Sequence, residues 1–130
     1  MTNTNKRTYD IVIVGGLGHV GLPLGISFAN EGLKVCLYDL DAKKARLVRQ
    51  GVMPFIEYGA EPILKKVLKS KTLSISFDPS MISHATYIII AIGTPMDEYL
   101  NPKVRPFLDL FSSLKKYLNN KQLIIIRSTV

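Results

Sequence analysis

A single cysteine, Cys36, occurs in the 130-residue chain, which excludes an internal disulfide and fits a reducing compartment. No apolar run approaches the ~20 residues needed to cross a bilayer. The polar start, MTNTNKRTYD, lacks the apolar segment of a signal peptide. A cytoplasmic location with no membrane partner is therefore expected. His84 has no companions at metal-ligand spacing, so no metal site is expected either. Repeats and low-complexity segments are also missing. Acidic residues are scarce, 10 against 17 Lys and Arg, giving a net charge of +7 and a pI near 9.6. The basic residues do not form one aromatic-studded stripe, which argues against nucleic acid as a partner. They fall at helix-like positions in Lys43–Arg49, Lys65–Lys71 and Lys115–Lys116, as solvated outer faces do. A phosphate-rich small ligand would also suit such a surface.

What is present begins with 47% hydrophobic residues, enough for one domain with a real core. The organising stretch is Tyr9 to Gly25, YDIVIVGGLGHVGLPLG. A β-branched run, Ile11 to Val14, leads directly into Gly16-Leu17-Gly18-His19-Val20-Gly21. This is G-x-G-x-x-G leaving a strand and entering a helical pattern, the arrangement that binds dinucleotides. Gly16 is expected to allow the tight turn, Gly18 to let backbone approach a pyrophosphate, and Gly21 to let helix lie close on strand. The anion would meet unpaired N–H groups at the positive end of the helix dipole. A second strand, Lys34 to Tyr38, ends at Asp39, about twenty residues beyond Gly18, where a carboxylate can accept from an adenosine ribose. The same charge would repel a 2′-phosphate, which favours NAD over NADP. The plainer reading is a strand–loop–helix with glycines for packing and Asp39 as a turn residue.

Residues 1 to 8 read as a loose tail. The first helix is expected from Gly18 or His19 to Asn30, with Glu31-Gly32 closing it. A second helix, Ala42 to Gln50, carries apolar Ala45, Leu47 and Val48, and Gly51 stops it. Lys44 lies within reach of the adenosine end, or is simply a solvated lysine. Gly51 to Ala60, GVMPFIEYGA, reads as a loop. Glu61-Pro62 opens a third helix to about Ser70, with Ile63, Leu64, Val67 and Leu68 as its apolar face. Leu73 to Phe77 alternates as a half-buried strand, and Asp78 caps a short helical segment ending near His84. Thr86 to Ile92 is a continuous apolar strand, as where a sheet is covered on both faces. A loop (Met96 to Arg105) and a helix (Pro106 to Asn119) follow. In that helix Phe107, Leu108, Phe111, Leu114 and Leu118 are expected to point inward. The last strand, Gln122 to Arg127, delivers Ser128-Thr129-Val130. Cys36, inside a strand pattern, reads as a buried small hydrophobe.

Alternating strands and helices predict an α/β fold with a parallel sheet and right-handed crossovers. Ligands bind such sheets at the carboxyl ends of the strands. Those ends carry Gly16 to Gly21, Asp39, Gly93-Thr94-Pro95 and Ser128-Thr129, which should gather along one crevice.

The pieces GLGHVGLPLG, YDLD, GVMPFIE, IIIAIGTP and IIIRSTV, in this order and spacing, resemble the amino-terminal part of the UDP-glucose/GDP-mannose dehydrogenase family. They cover nearly the whole chain. His19 stands where the family commonly has tyrosine, and Ala91 to Pro95 replaces a more usual valine-proline-threonine-proline. Neither departure removes a charge or a glycine. The resemblance implies a Rossmann-like, doubly wound parallel sheet of about five strands, ending before the last βα units. It also implies a nucleotide-sugar 6-dehydrogenase that oxidises a sugar C6 alcohol to a carboxylate with two NAD⁺ per turnover, through a cysteine thiohemiacetal and thioester. Gly16, Leu17, Gly18, His19, Val20 and Gly21 would lie at the pyrophosphate, with Asp39 at the adenosine ribose and Lys44 nearby. Ala91, Ile92, Gly93, Thr94, Pro95 and Ser128 would line the cofactor toward the nicotinamide. Thr129 matches a threonine that helps hold a water near the reacting carbon. Thr94 could instead cap a turn, and Thr129 could be an ordinary strand end.

In that family the nucleophilic cysteine and a catalytic lysine lie in later segments, beyond a central dimerising helix. The resemblance therefore predicts an NAD-binding portion without the central helix and substrate domain, inactive alone, and a homodimer in the full-length protein. Its expected partner is a nucleotide sugar, held mainly by the missing domain. Two other readings stand beside this one: a free-standing nucleotide-binding module without redox chemistry, and another Rossmann dehydrogenase of β-hydroxyacid type. An exposed sheet edge at the end of the chain would invite pairing unless another chain covers it.

Overall fold

Every side chain from Ile11 to Val14 is buried, and alternate residues go to opposite faces of a sheet. Ile11 and Ile13 join one apolar cluster, while Val12 and Val14 join another. The computed structural model describes residues 9–92 and 104–127. The expected tail at 1–8 and most of the loop after the fourth strand lie outside the described residues.

Five parallel strands make one sheet among the described residues: β1 (Tyr9–Val14), β2 (Val35–Tyr38), β3 (Leu73–Ser76), β4 (Ala85–Ile90) and β5 (Leu123–Ile126). Their spatial order is β3-β2-β1-β4-β5, so the direction of winding reverses between β1 and β4. This is the Rossmann-like, doubly wound sheet expected from the motif order. On one face Ile11, Ile13, Val35, Leu37 and Ile89 pack with helices α1 (Gly21–Asn30) and α3 (Ala60–Lys69). On the other, Val12, Val14, Ile88 and Ile90 pack with Ile82 of a 3₁₀ segment (Pro79–His84) and Leu114 of α4 (Val104–Leu114). Cover on both faces explains why these strands read as unbroken apolar runs. No helix among the described residues is long and apolar enough to cross a membrane.

The boundaries move in instructive ways. Helix α1 begins at Gly21 rather than at Gly18 or His19, because Gly18 donates to Gly15 O at 3.2 Å and closes a turn first. Pro23 thus falls in the first helical turn, where a missing N–H costs nothing. Helix α2 (Ala42–Arg49) is capped by Asp41, whose carboxylate accepts from the Lys44 amide at 3.0 Å. Its Leu47 is exposed while Ala45 and Val48 are buried. Helix α4 starts inside the expected loop and gives way to a 3₁₀ turn at Lys115–Tyr117. Leu108, expected inward, is 53% exposed, since it stands off the stripe formed by Phe111, Leu114 and Leu118.

Cys36 is fully buried on β2, and burial pushes its thiol up to about 11, with the nearby Ser74 and Tyr9 hydroxyls offsetting part of the effect. It is a core residue and no nucleophile. Because the folded-state value lies above the unfolded one, its contribution to stability is complete below about pH 9 and is lost as pH rises through about 11. Tyr38 moves in the same direction, chiefly through burial. The thermal midpoint should therefore fall between about pH 9 and 11, and Cys36→Ala should flatten part of that fall in calorimetry.

Strand β5 differs from the rest. All four of its residues are exposed, Leu123 and Ile126 by 55% each, although it pairs in register with β4. It is one of the two edges of the described sheet, opposite β3, and an apolar edge is a template for strand pairing. Replacing Ile124 and Ile126, which share a face, by lysine should shift the chain toward monomer in size-exclusion chromatography at micromolar concentration.

Candidate functional site

The end of β1 meets the end of β2 with almost no space between them. Gly15 and Gly16 both donate to Tyr38 O, at 2.9 and 3.1 Å, which folds the turn onto β2. The left-handed backbone lies at Gly15 (φ +80°), one residue before the expected position. A methyl group there would come within 2.9 Å of Ala91 O, so strain and crowding both select glycine. Gly16 is needed for a different reason than its turn geometry: an added Cβ would lie 2.6 Å from Leu37 Cβ. A Cβ added at Gly21 would collide with the backbone of Gly15 and Gly16, so glycine there lets α1 start directly over the turn.

Gly18 is the open member of the set. An added Cβ there would meet Gly15 O at 3.5 Å and nothing else within contact range. Beyond it, the amides of His19, Val20 and Gly21 have no hydrogen-bond partner among the described residues, while Leu22 N–H begins the helical ladder on Gly18 O at 3.0 Å. Three successive amides without a partner among the described residues thus stand at the N-terminus of a ten-residue helix, whose dipole carries about +0.5 charge at that end. The arrangement fits an anionic diphosphate.

Asp39 closes the other side. Its Oδ2 accepts from Leu17 N–H at 3.0 Å, and its Oδ1 accepts from Leu40 and Asp41 N–H at 2.7 and 3.1 Å. The carboxylate therefore ties the end of β2 to the glycine turn, while Leu17 anchors that turn by a fully buried side chain. A carboxylate offers roughly four lone-pair sites, so about one remains for an outside donor. Lys44 sits in the first turn of α2 with its amide on Asp41.

At the neighbouring strand end, Ala91 N–H donates to Val14 O at 2.8 Å, and Ala91 and Ile92 flank Gly15. Arg127 N–H donates to Ile90 O at 2.7 Å, so the chain leaving β5 passes the end of β4. The structure thus gathers the turn from Gly15 to Gly21, Asp39, Ala91 and Ile92 at one end of the sheet. Gly93, Thr94, Pro95, Ser128 and Thr129 lie outside the described residues. No group of three or more His, Cys, Asp or Glu side chains could hold a metal among the described residues.

Two features had no clear signal in the sequence. The Leu17–Asp39 bond joins residues that the fingerprint treats as separate parts. Phe55, in a segment that reads as a loop and carries part of the family resemblance, stacks on His19 with ring centroids 4.2 Å apart and planes 20° from parallel. No periodicity marks such a contact.

The chain is similar to known proteins over most of its length. A UDP-glucose 6-dehydrogenase of Bacillus subtilis is 33% identical over 120 residues, covering 92% of this chain and 26% of its own. A UDP-N-acetyl-D-mannosamine dehydrogenase of Methanococcus aeolicus is 29% identical, covering 100% of this chain and 30% of its own. The chain therefore spans under a third of the length of these curated relatives. Among solved structures, a ternary complex of GDP-mannose dehydrogenase from Pseudomonas aeruginosa superposes with a TM-score of 0.84 at 25% identity, covering 92% of this chain and 28% of that one. Residues 10–130 match the UDP-glucose/GDP-mannose dehydrogenase family, NAD binding domain. The chain belongs to that family, and within it this is the domain that binds NAD.

Proposed function

We propose that the chain is the cofactor-holding part of a cytoplasmic nucleotide-sugar 6-dehydrogenase, which oxidises the C6 alcohol of a UDP-sugar to the uronate. The sugar would be of the UDP-glucose or UDP-N-acetylmannosamine type, the substrates named for two of the relatives. One observation carries the reading: three amides at His19 to Gly21, unpartnered among the described residues, follow the open face of Gly18 in a turn that is tied to the Asp39 carboxylate. The diphosphate would take the amides, with Gly16, Leu17 and Gly21 shaping the turn that presents them. The adenosine ribose would donate to the remaining lone pair of Asp39, and Lys44 would lie near that end.

NAD, when bound, supplies the hydride acceptor. The chain's own residues bind and orient it. Ala91 and Ile92 would border the cofactor, and Gly93, Thr94 and Pro95 continue from them in sequence toward the nicotinamide. Ser128 would complete that wall, and Thr129 would hold a water near the reacting carbon. The buried, raised thiol of Cys36 supports a nucleophile elsewhere. Substrate contacts, that nucleophile and a homodimer interface are assigned to polypeptide with which this domain works.

Isothermal titration should detect NAD binding, with NADP weaker by at least about tenfold through repulsion between its 2′-phosphate and Asp39. Asp39→Ala removes a charged acceptor from both ribose and turn. At about 1.5–3 kcal/mol for such a bond, NAD affinity should fall roughly tenfold to a hundredfold. Unchanged affinity in this variant would reject the site. The 130-residue chain alone should produce no NADH from UDP-glucose or UDP-N-acetylmannosamine in a spectrophotometric assay. Turnover by it would overturn the division of labour.

A further inference from the structure

Phe55 stands on the segment between α2 and α3, outside every element of the glycine fingerprint. That segment is pinned at both ends. Gly51 N–H donates to Val48 O at 2.9 Å, and Val52 N–H donates to Leu47 O at 3.0 Å. Met53 is buried, and its N–H donates to Glu61 Oε2 at 2.9 Å. Ala60 N–H donates to Glu57 O at 3.1 Å. Between these anchors Ile56 and Tyr58 point into solvent, 82% and 95% exposed, so the segment does not simply bury its apolar side chains. Phe55 behaves differently. It packs against the buried cluster under α1 and α3, and its ring lies flat against the His19 imidazole.

His19 is itself an exposed residue, and neither its amide nor its ring makes a hydrogen bond among the described residues. The stack on Phe55 is the contact that the His19 side chain makes among the described residues, while Gly18 and Val20 on either side of it are held by backbone hydrogen bonds. His19 is also the first of the three free amides. Donors already held in place bind an anion without reorganising, and the advantage is lost when they move.

We propose that Phe55 is a positioning residue for the diphosphate of the dinucleotide, holding the His19–Gly21 amides in their receiving geometry through its stack on His19. This rests on the NAD-binding reading above. It adds a residue from the α2–α3 segment to a site otherwise built at the ends of β1, β2 and β4. A leucine at the position would keep apolar volume on the core but lose the flat ring face. The stacking contact alone corresponds to roughly a three- to tenfold change in affinity.

The test measures NAD, ADP-ribose and adenosine affinities, the last by NMR titration, for the full chain and for Phe55→Leu, Phe55→Tyr and His19→Ala. Phe55→Leu should weaken NAD and ADP-ribose by about three- to tenfold and leave adenosine unchanged, since adenosine carries no diphosphate. Phe55→Tyr should restore binding. His19→Ala removes the stack from its exposed side, so it should reproduce the loss even if Phe55→Leu fails to fold. Ring-current shifts of the His19 protons should be present in the parent and absent in Phe55→Leu. Wild-type NAD affinity in His19→Ala and Phe55→Leu would overturn the proposal while leaving the NAD reading intact. Equal losses for adenosine and NAD would reduce Phe55 to a structural role and overturn it as well. A parent chain that binds no NAD would overturn both.

Discussion

Where the chain turns over from β1 into α1, backbone lies directly on backbone. The Cβ that Gly16 lacks would collide with Leu37 of β2, and the one that Gly21 lacks would collide with the turn itself. This contact sets the height of α1 above the sheet. It also brings Leu17 N–H within reach of Asp39, and the His19, Val20 and Gly21 amides that follow have no partner among the described residues. A side chain inserted at either glycine would lift the helix, open the Asp39 link and disperse the donors together. The packing requirement and the binding geometry are therefore one constraint, met by the same two residues.

The sheet behind this turn was readable because its physics is periodic. Buried strands covered on both faces give unbroken runs such as Ile11–Val14 and Ile88–Ile90, and amphipathic helices give the stripe of Leu64 and Val67. Strand number, direction and the gathering of Gly16–Gly21 and Asp39 at one end follow from those patterns, whereas Ala91 and Ile92 come in through the family resemblance. Finer features depend on geometry that no pattern encodes. The positive φ belongs to Gly15 rather than Gly16: β1 ends at Val14, and the chain turns at the very next residue. Helix α1 starts late because a turn hydrogen bond at Gly18 comes first. Leu47 and Leu108 are apolar and yet exposed, since composition alone does not say which side of a helical stripe a residue takes. The stack of Phe55 on His19 joins two loops, and sequence spacing carries no information about it.

Asp39 shows how much a single carboxylate can be asked to do. Three backbone N–H groups converge on it, two from its own turn and one from the glycine turn of the neighbouring strand. Such a side chain is held in one orientation before any ligand arrives, and its charge is already directed toward the crevice. Acidic residues are few in this basic chain. Placing one of them at the end of β2, against the glycine turn, sets a carboxylate beside that turn, so the two ends of a dinucleotide would meet unlike surroundings.

The strand order also dictates the sequence of events on a ribosome. The strands β1, β2 and β3 are neighbours in space as well as in the chain, so one half of the sheet, with α1 and α3 upon it, can assemble from residues 9 to 76 by short-range steps. The other flank of β1 then waits for β4, which begins only at Ala85. During that interval Val12 and Val14 lack their cover, and the backbone of β1 presents an unpaired side at the centre of the future domain. A pause in synthesis between Ser76 and Ile90 would leave the nascent half-sheet open to a neighbouring chain.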